Sequence, residues 1–544
     1  MTFTYDASAY RTYFEHEFTY LAGFRRNVHR YARRTAMTDP ATGQRWTYAE
    51  LGARVDALAL GLAGAGVGPG DVVVHQLFNS PAFAELYLAT QACGAVGAPV
   101  NFRLAAGETA HVLDDSEPTV FVYDTALRDT VAAALERARH APSVLVAVGE
   151  GEPLPGSVRF ADLPGGTPPA VARTVYDETT RLYTSGTTGM PKGVPLNSLV
   201  EVFSAHDVIM HFPLAPEDRT LNMTPWFHRG GLYSGRPNPV FYLGAEVVPL
   251  RAFDPDRVLD LVAEHGLTYL IGAPTNLAML ARAQTERPRD LGTLRGIVTM
   301  GAPLEREACL RYQELLTPRI FNGFGTTESF WNTFLRPTDL PGHAGAAGRA
   351  CTDDDVMVVH VGGGSDDPVA QDGTEVGEVI IRSPKAGYAY VNSPEQEAAK
   401  FHDGWIHVGD LATWDGDEYV TIVGRKDDML ISGGENVHPV QVEEALNEHP
   451  GVADSLVVGV PDERWGERVV AFVVREDPGL TAADCEAHCR GHAMLAAYKR
   501  PRAYRFVDEL PLTATGKKIH YRARAQAVED DAAGLFETVT TDHR

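Results

Sequence analysis

One stretch limits what this chain can fold around: Tyr183-Thr184-Ser185-Gly186-Thr187-Thr188-Gly189-Met190-Pro191-Lys192-Gly193. A strand-like run at residues 180–183 feeds into it, and Ser198 with Glu201 reads as a capping box that opens a helix towards His211. Glycines let the backbone approach a ligand closely, and their exposed N–H groups can cradle an anion. The hydroxyls of Thr184, Ser185, Thr187 and Thr188 add donors, and Lys192 adds a charge. The stretch therefore reads as a phosphate loop, but not as a Walker A loop, because the G-x-x-x-x-G-K-[ST] spacing is absent. A flexible linker is the competing reading; linkers rarely join so many hydroxyls to a Pro-Lys-Gly end.

The chain's 544 residues exceed what one core can serve, so several domains are expected. Alternating strand-like and helix-like segments point to α/β layers with a largely parallel sheet. The strand-like runs lie at residues 72–75, 96–100, 120–123, 143–148, 246–250, 269–272, 296–300 and 319–321. The segment Arg45–Leu51 leads into a helix expected to reach about Ala65, another is expected from Ser80 to Ala95, and residues 149–170 read as a connecting loop. From about Val376 short strands with Gly turns suggest a small β-rich subdomain, followed by a compact α+β region and a frayed acidic tail from about Ala527.

The net charge of −24 argues against nucleic acid and anionic membrane as partners, and it requires any site for an anionic ligand to gather its cations locally. No apolar run is long enough to span a bilayer, no signal peptide is read, and the 5 Cys do not form a disulfide framework. A cytoplasmic protein is expected.

The phosphate loop resembles the signature of the adenylate-forming (ANL) superfamily, which includes acyl- and aryl-CoA ligases, peptide-synthetase adenylation domains and luciferases. The resemblance runs from about residue 28 to 526. It implies a large N-terminal domain of layered α/β sheets, residues 1–425, with a small β-rich subdomain. A hinge at 426–428 centred on Asp427 and a small mobile α+β domain, 429–544, complete the expected architecture. A second block, Phe321-Asn322-Gly323-Phe324-Gly325-Thr326-Thr327-Glu328, reads as a strand end, a Gly-opened turn and a hard-oxygen carboxylate suited to Mg²⁺. In the family its aromatic residue stacks near adenine, its Thr contacts the α-phosphate and its Glu binds the metal. The resemblance carries these roles to Phe324, Thr327 and Glu328, with Thr184 a further metal candidate and Asn322 and Gly323 beside the nucleotide.

Trp405-Ile406-His407-Val408-Gly409-Asp410-Leu411 resembles W-x-H-T-G-D-L, which gives Asp410 to the ribose, and Arg425 in Gly424-Arg425-Lys426-Asp427 matches the family Arg that also contacts it. Leu512-Thr513-Ala514-Thr515-Gly516-Lys517-Lys518-Ile519 resembles T-x-T-G-K-I, which makes Lys517 the catalytic lysine; Lys518 stands where an apolar residue is usual. Ser432-Gly433-Gly434-Glu435-Asn436 is similar to the block that lines the pantetheine channel of CoA ligases, and Trp465 matches a CoA-ligase position. Pro225-Trp226-Phe227-His228 resembles the block whose His gates the acyl site, and Thr299-Met300-Gly301-Ala302-Pro303-Leu304 one that lines the adenine and acyl pockets. With Gly325, Phe330 and Trp331 these residues suggest an apolar acyl pocket with aromatic walls. Cys485, His488, Cys489 and His492 recur at helical spacing, which reads as helix packing because one helix face cannot close a tetrahedron around zinc.

The expected activity is ATP-dependent ligation of a carboxylic acid to coenzyme A, with Mg²⁺, on an aromatic or cyclic acid. The alternatives are an adenylase loading a carrier protein in trans, a medium- or long-chain fatty acyl-CoA ligase, or a nucleotide-binding regulatory module. Whether the chain forms a homodimer is left open.

Overall fold

The structure, a computed structural model, describes all residues except 1–6, 168–170, 172, 186–189, 433–434, 463–464, 493–494, 496, 513–515 and 540–544. The chain divides into two compact units. The first comprises Met1–Ala344, Gly348–Asp355 and Ile381–Ile406, the second Gly345–Ala347, Val356–Ile380 and His407–Arg544.

Two sheets build the first unit. One runs in the spatial order Val158–Arg159, Val144–Val148, Val120–Asp124, Val72–Gln76, Val96–Pro99, Glu178–Ser185, Pro191–Asn197. Its pairs are parallel until the last, which is antiparallel. The other sheet has a parallel centre, Glu246–Val247, Arg219–Asn222, Tyr269–Gly272, Gly296–Met300 and Ile320–Thr326. The antiparallel Phe330–Leu335 extends it on one side.

Alternation along each strand assigns the layers. Val73, Ile271, Val298 and Phe321 join one core that also takes the helices Tyr20–Arg30, Pro81–Ala92 and Ser198–His211. Their neighbours Leu270, Ile297 and Ile320 face a separate core under the helices Pro255–His265, Pro274–Glu286 and Arg306–Leu315. Val72, Val74 and Phe121 face a third core with Ala106–Ser116 and Arg128–Leu135. One helical layer thus lies between the two sheets, and strands buried on both faces read as continuous apolar runs.

Several expectations need correction. The cap of Ser198–His211 is Asn197, whose Oδ1 accepts from the Val200 amide at 2.9 Å. Ser198 instead accepts from the Tyr20 amide at 2.8 Å. Glu201 is buried and bonded to Tyr87, Thr180 and Asn238, so it is a core carboxylate rather than a capping one. The strand-like run at 180–183 is part of Glu178–Ser185, which pairs antiparallel with Pro191–Asn197, Thr184 opposite Lys192 and Ser185 opposite Pro191. The expected Gly-opened turn at 323–325 is strand, because Ile320–Thr326 continues to Thr326 and turns only at 327–329. Residues 149–170 contain a short strand, Val158–Arg159, and the small sheet of short strands begins at Asp355–Val359, before residue 376.

The strand Trp405–Trp414, which belongs to the second unit from His407 on, pairs antiparallel with Val420–Arg425 and puts Asp410 opposite Arg425. A further sheet runs Glu435–Val437, Leu430–Ser432, Gly466–Arg475, Ala503–Phe506, Glu537–Thr538, with Val452–Asp462 beside Gly466–Arg475. The tail is not frayed at Ala527. The helix His520–Ala532 buries Ala523 and Ala527, and the Phe536 ring packs 5.6 Å from that of Phe472.

Candidate active site

The hairpin carries the first group of side chains. Lys192 lies across from Thr184, and its ammonium sits 5.4 Å from the centre of the Tyr390 ring. Burial lowers the Lys192 pKa, while the Glu328 charge acts in the opposite sense. The Val391 amide donates to the Gly193 carbonyl at 2.9 Å, which ties the segment bearing Tyr390 to the hairpin. Gly186, Thr187 and Thr188 lie outside the described residues; Thr184 is half-buried.

Glu328 comes from the other sheet, at the turn after Ile320–Thr326. It is buried, and the Tyr390 hydroxyl donates to its Oε1. Burial alone would raise its pKa, but the Lys400 charge and the Tyr390 hydroxyl together hold it below the ordinary carboxylate value. The turn itself is fixed from two sides. The Gly387 amide donates to the Glu328 carbonyl at 2.8 Å. Arg229 Nη1 donates to the Thr327 carbonyl at 2.8 Å and Nη2 to the Lys385 carbonyl at 2.7 Å. Lys385 is itself buried between Asp207 and Asp354, each 2.9 Å from its ammonium. Asp207, His211 and Cys351 bring ligand atoms within 4.8 Å of one another, yet the Lys385 ammonium already supplies the positive charge there.

The strand before Glu328 needs its glycines. A Cβ on Gly325 would lie 1.4 Å from the Phe330 carbonyl oxygen, and one on Gly323 would lie 3.0 Å from Trp331 Nε1. Phe324 is half-buried and pairs with Thr333, while Asn322 is buried. Phe330 has φ +66°, a left-handed conformation that costs a non-glycine residue about 1–3 kcal/mol.

The expected acyl-pocket residues are brought together in the same unit. Trp226, Phe227, Phe330 and Trp331 are all buried. Phe330 stacks on Trp331 at 4.9 Å, and the Arg236 guanidinium lies 5.0 Å from the Trp226 ring. Met300 Sδ accepts from Ser234 Oγ at 3.1 Å. Gly301 has φ +86°, so the chain turns sharply before Ala302 and Pro303. The His228 ring lies 4.2 Å from that of Phe227. Its Nε2 is enclosed and has no hydrogen-bond partner, unlike a satisfied core histidine. Desolvation, aided by the Arg103 charge, lowers its pKa to about 4, so the ring is neutral.

The second unit carries the rest. Arg425 Nη1 reaches both Asp410 oxygens, at 3.2 Å each, and Asp427 Oδ2 lies 3.9 Å from Arg425 Nη2. Lys517 is exposed. Lys518 is not: its ammonium lies 3.0 Å from Glu443 and 2.9 Å from Asp454. Gly433 and Gly434 lie outside the described residues; Ser432 and Glu435, on either side of them, pair across a hairpin. Arg502 lies 4.1 Å from the Trp465 ring centre. In the helix Ala482–Gly491, Cys485 and Cys489 are core residues, while His488 meets the Ala445 carbonyl at 2.8 Å and His492 meets Glu448 at 3.0 Å. That is helix packing.

The hairpin strands and the acidic turn after a glycine-dependent strand belong to the first unit, and the paired Asp410 and Arg425 and the exposed Lys517 belong to the second. Residues 24–391 match the AMP-binding enzyme family and residues 441–517 its C-terminal domain, and the chain belongs to that family. It is an AMP-forming acid–thiol ligase. A feruloyl-CoA synthase from an Amycolatopsis species is 36% identical over 491 residues, 89% of this chain and 96% of that protein. An indoleacetate–CoA ligase from Aromatoleum aromaticum is 34% identical over 477 residues, 87% of this chain and 91% of that protein. Among solved structures, the anthranilate CoA ligase AuaEII in complex with anthranoyl-AMP matches with a TM-score of 0.85 at 26% identity, over 94% of this chain and 98% of that one. No helix among the described residues is long and apolar enough to cross a membrane.

Tyr390, Arg229 and Lys400 escaped the sequence reading. Tyr390 follows Gly387-Tyr388-Ala389, a glycine beside two aromatics after Lys385, which is the one local signal that could have marked it. Arg229 sits next to His228 and reads as a surface residue until its burial is known.

Proposed function

We propose that the chain joins an aromatic or cyclic carboxylic acid to coenzyme A in two half-reactions. The carboxylate attacks the α-phosphorus of ATP, giving an acyl-adenylate and pyrophosphate. The coenzyme A thiol then attacks the acyl carbonyl, loses its proton to solvent and expels AMP. No covalent enzyme nucleophile is required, so catalysis is positioning plus stabilisation of developing charge. Thr184, Ser185, Gly186, Thr187, Thr188 and Lys192 hold the β- and γ-phosphates in this reading. Phe324, Gly301, Ala302, Pro303, Asn322 and Gly323 take the adenine side. Asp410 and Arg425 take the ribose, and Lys517 bridges the acid and the α-phosphate.

The observation that carries the reading is the ionised, buried Glu328 held by Tyr390, whose ring also faces Lys192 at the foot of the phosphate loop. A hard carboxylate kept charged in a buried turn fits Mg²⁺, with Thr184 as a second oxygen candidate. Bound there, the ion would neutralise phosphate charge. Thr327 would donate to the α-phosphate while Arg229 holds its carbonyl. His228, neutral and unpartnered, would close the acyl site without adding charge.

The aromatic preference rests on the ring-bearing acids named in the three relatives and on the Trp226, Phe227, Phe330 and Trp331 side chains. We further propose a lobe of residues 1–425, a hinge at Asp427, a mobile lobe of 429–544 that brings Gly433, Gly434 and Trp465 to the pantetheine, and a cytoplasmic location.

The test is a screen of aryl, alicyclic and fatty acids, scoring acid-dependent pyrophosphate exchange and coenzyme A consumption. Exchange and thioester formation with aryl acids are expected. Activity confined to fatty acids would overturn the substrate class, and exchange without coenzyme A consumption would point to a carrier-protein acceptor.

A further inference from the structure

Two adjacent lysines close the chain's last motif, and the structure treats them differently. Lys518 Nζ lies 3.0 Å from Glu443 Oε2 and 2.9 Å from Asp454 Oδ1, with its side chain only 20% exposed. Glu443 belongs to the helix Pro439–Asn447 and its side chain is 4% exposed. Its Oε1 accepts from the Val457 amide at 2.8 Å and meets His520 Nε2 at 2.8 Å. The other ring nitrogen of His520 lies 3.7 Å from Asp428. One carboxylate therefore gathers a strand amide, Lys518 and the first residue of the helix His520–Ala532. Leu512 and Lys518 form an antiparallel bridge across the base of the loop that contains Lys517.

Side chains alternate faces along extended backbone. With Lys518 turned inward onto two carboxylates, Lys517 is turned outward, and it is exposed. A slip of one residue would exchange the two lysines but draw His520 out of register with Glu443, and a buried carboxylate that loses a partner is costly.

The geometry points to Lys518 and His520 as positioning residues that clamp the loop onto Glu443 and so choose Lys517 as the lysine presented to the acid and the α-phosphate. This rests on the reading of Lys517 as the adenylation lysine given above. An apolar residue at 518 could be buried without setting which lysine faces out; the ion pairs make that choice directional.

The test uses the full chain with the aryl acid that gives the fastest exchange in the screen. Pyrophosphate exchange is measured alongside thioester formation from the supplied acyl-adenylate. Lys518→Met should lower kcat for exchange by about 10- to 100-fold, as for a reacting group displaced by about an ångström. The KM for ATP should stay within about twofold and thioester formation should persist. Lys518→Arg, which can still span both carboxylates, should restore most of the loss. His520→Gln, which keeps a hydrogen bond to Glu443, should show the same selective loss to a smaller degree and serves where Lys518→Met folds poorly. Exchange within about twofold of the parent in Lys518→Met and His520→Gln, or equal losses in both half-reactions that Lys518→Arg does not restore, would overturn the clamp. Normal exchange in Lys517→Ala would instead overturn the assignment of Lys517 and leave the packing of Lys518 as found.

Discussion

The Tyr390 hydroxyl donates to the buried carboxylate of Glu328, and it reaches there from a segment about sixty residues further along the chain. A hydrogen bond to a charged buried acceptor contributes roughly 1.5–3 kcal/mol. Tyr390→Phe should therefore raise the Glu328 pKa and move the acid limb of pyrophosphate exchange to higher pH. Because the folded carboxylate lies below its ordinary value, the ionised form is present above that value and is lost as pH falls. The carboxylate stays ionised near neutrality, so the rate should fall most on the acid limb, with more Mg²⁺ needed there for half-maximal exchange. A pH–rate profile at two Mg²⁺ concentrations checks both.

Lys517→Ala should slow adenylation by at least ~10²–10³, as for loss of one preorganised donor, and leave thioester formation from supplied adenylate largely intact. Single-turnover measurements of the two half-reactions separate these outcomes.

Gly325 admits no side chain, since a Cβ would lie 1.4 Å from a backbone oxygen. Gly325→Ala must push the strands Ile320–Thr326 and Phe330–Leu335 apart, and overpacking of this kind costs about 1–3 kcal/mol or more. The expected result is a lower unfolding midpoint together with loss of exchange, because the same strand leads into Glu328. A variant that keeps parental exchange and midpoint would refute this.

Glu443 is held at a pKa of about 2: burial works against ionisation, but the Lys518 and His520 charges outweigh it. Its contribution to stability is present above the ordinary carboxylate value and is lost only as pH falls towards about 2. Burial would lower the His520 pKa, but the hydrogen bond and charge of Glu443, with Asp428, raise it, so its contribution is present below the ordinary histidine value and fades as pH rises through the raised one. Glu443→Gln should cost about 3–5 kcal/mol, the penalty for leaving a buried cation unpaired. Denaturant unfolding at pH 6 and pH 8 measures it, with the larger loss at pH 6, where His520 is also charged.

His75 is buried in the central core beside Phe83, and desolvation lowers its pKa to about 4. Between that value and the ordinary ~6.5 the unfolded chain binds a proton that the folded one does not, so stability falls as pH drops. His75→Phe should flatten that slope by up to ~1.4 kcal/mol per pH unit, read from unfolding midpoints between pH 4.5 and 7.

Much of this architecture could be read from the chain. Fully buried strands such as Val120–Asp124 and Gly296–Met300 are mostly apolar without alternation, and helices on both faces explain why. The blocks around Glu328, Asp410 and Lys517 stood out because their residue order resembles motifs of the family, and the structure buries Glu328, pairs Asp410 with Arg425 and exposes Lys517. The turn expected at 323–325 failed because glycine has two uses, and here it serves close approach of strands rather than a bend. Ser198 and Glu201 mimicked a cap because a core carboxylate and a capping one look alike until burial is known. Tyr390 and Arg229 act through contacts with residues more than sixty positions away, which no local pattern encodes.

Thr184 hangs from one sheet of the first unit and Glu328 from the other, and the two sheets share no strand. A triphosphate gripped at both ends would act as a strut between them, so nucleotide alone should shield amides in the intervening helices Pro81–Ala92 and Ser198–His211 from solvent exchange, although neither helix would touch it.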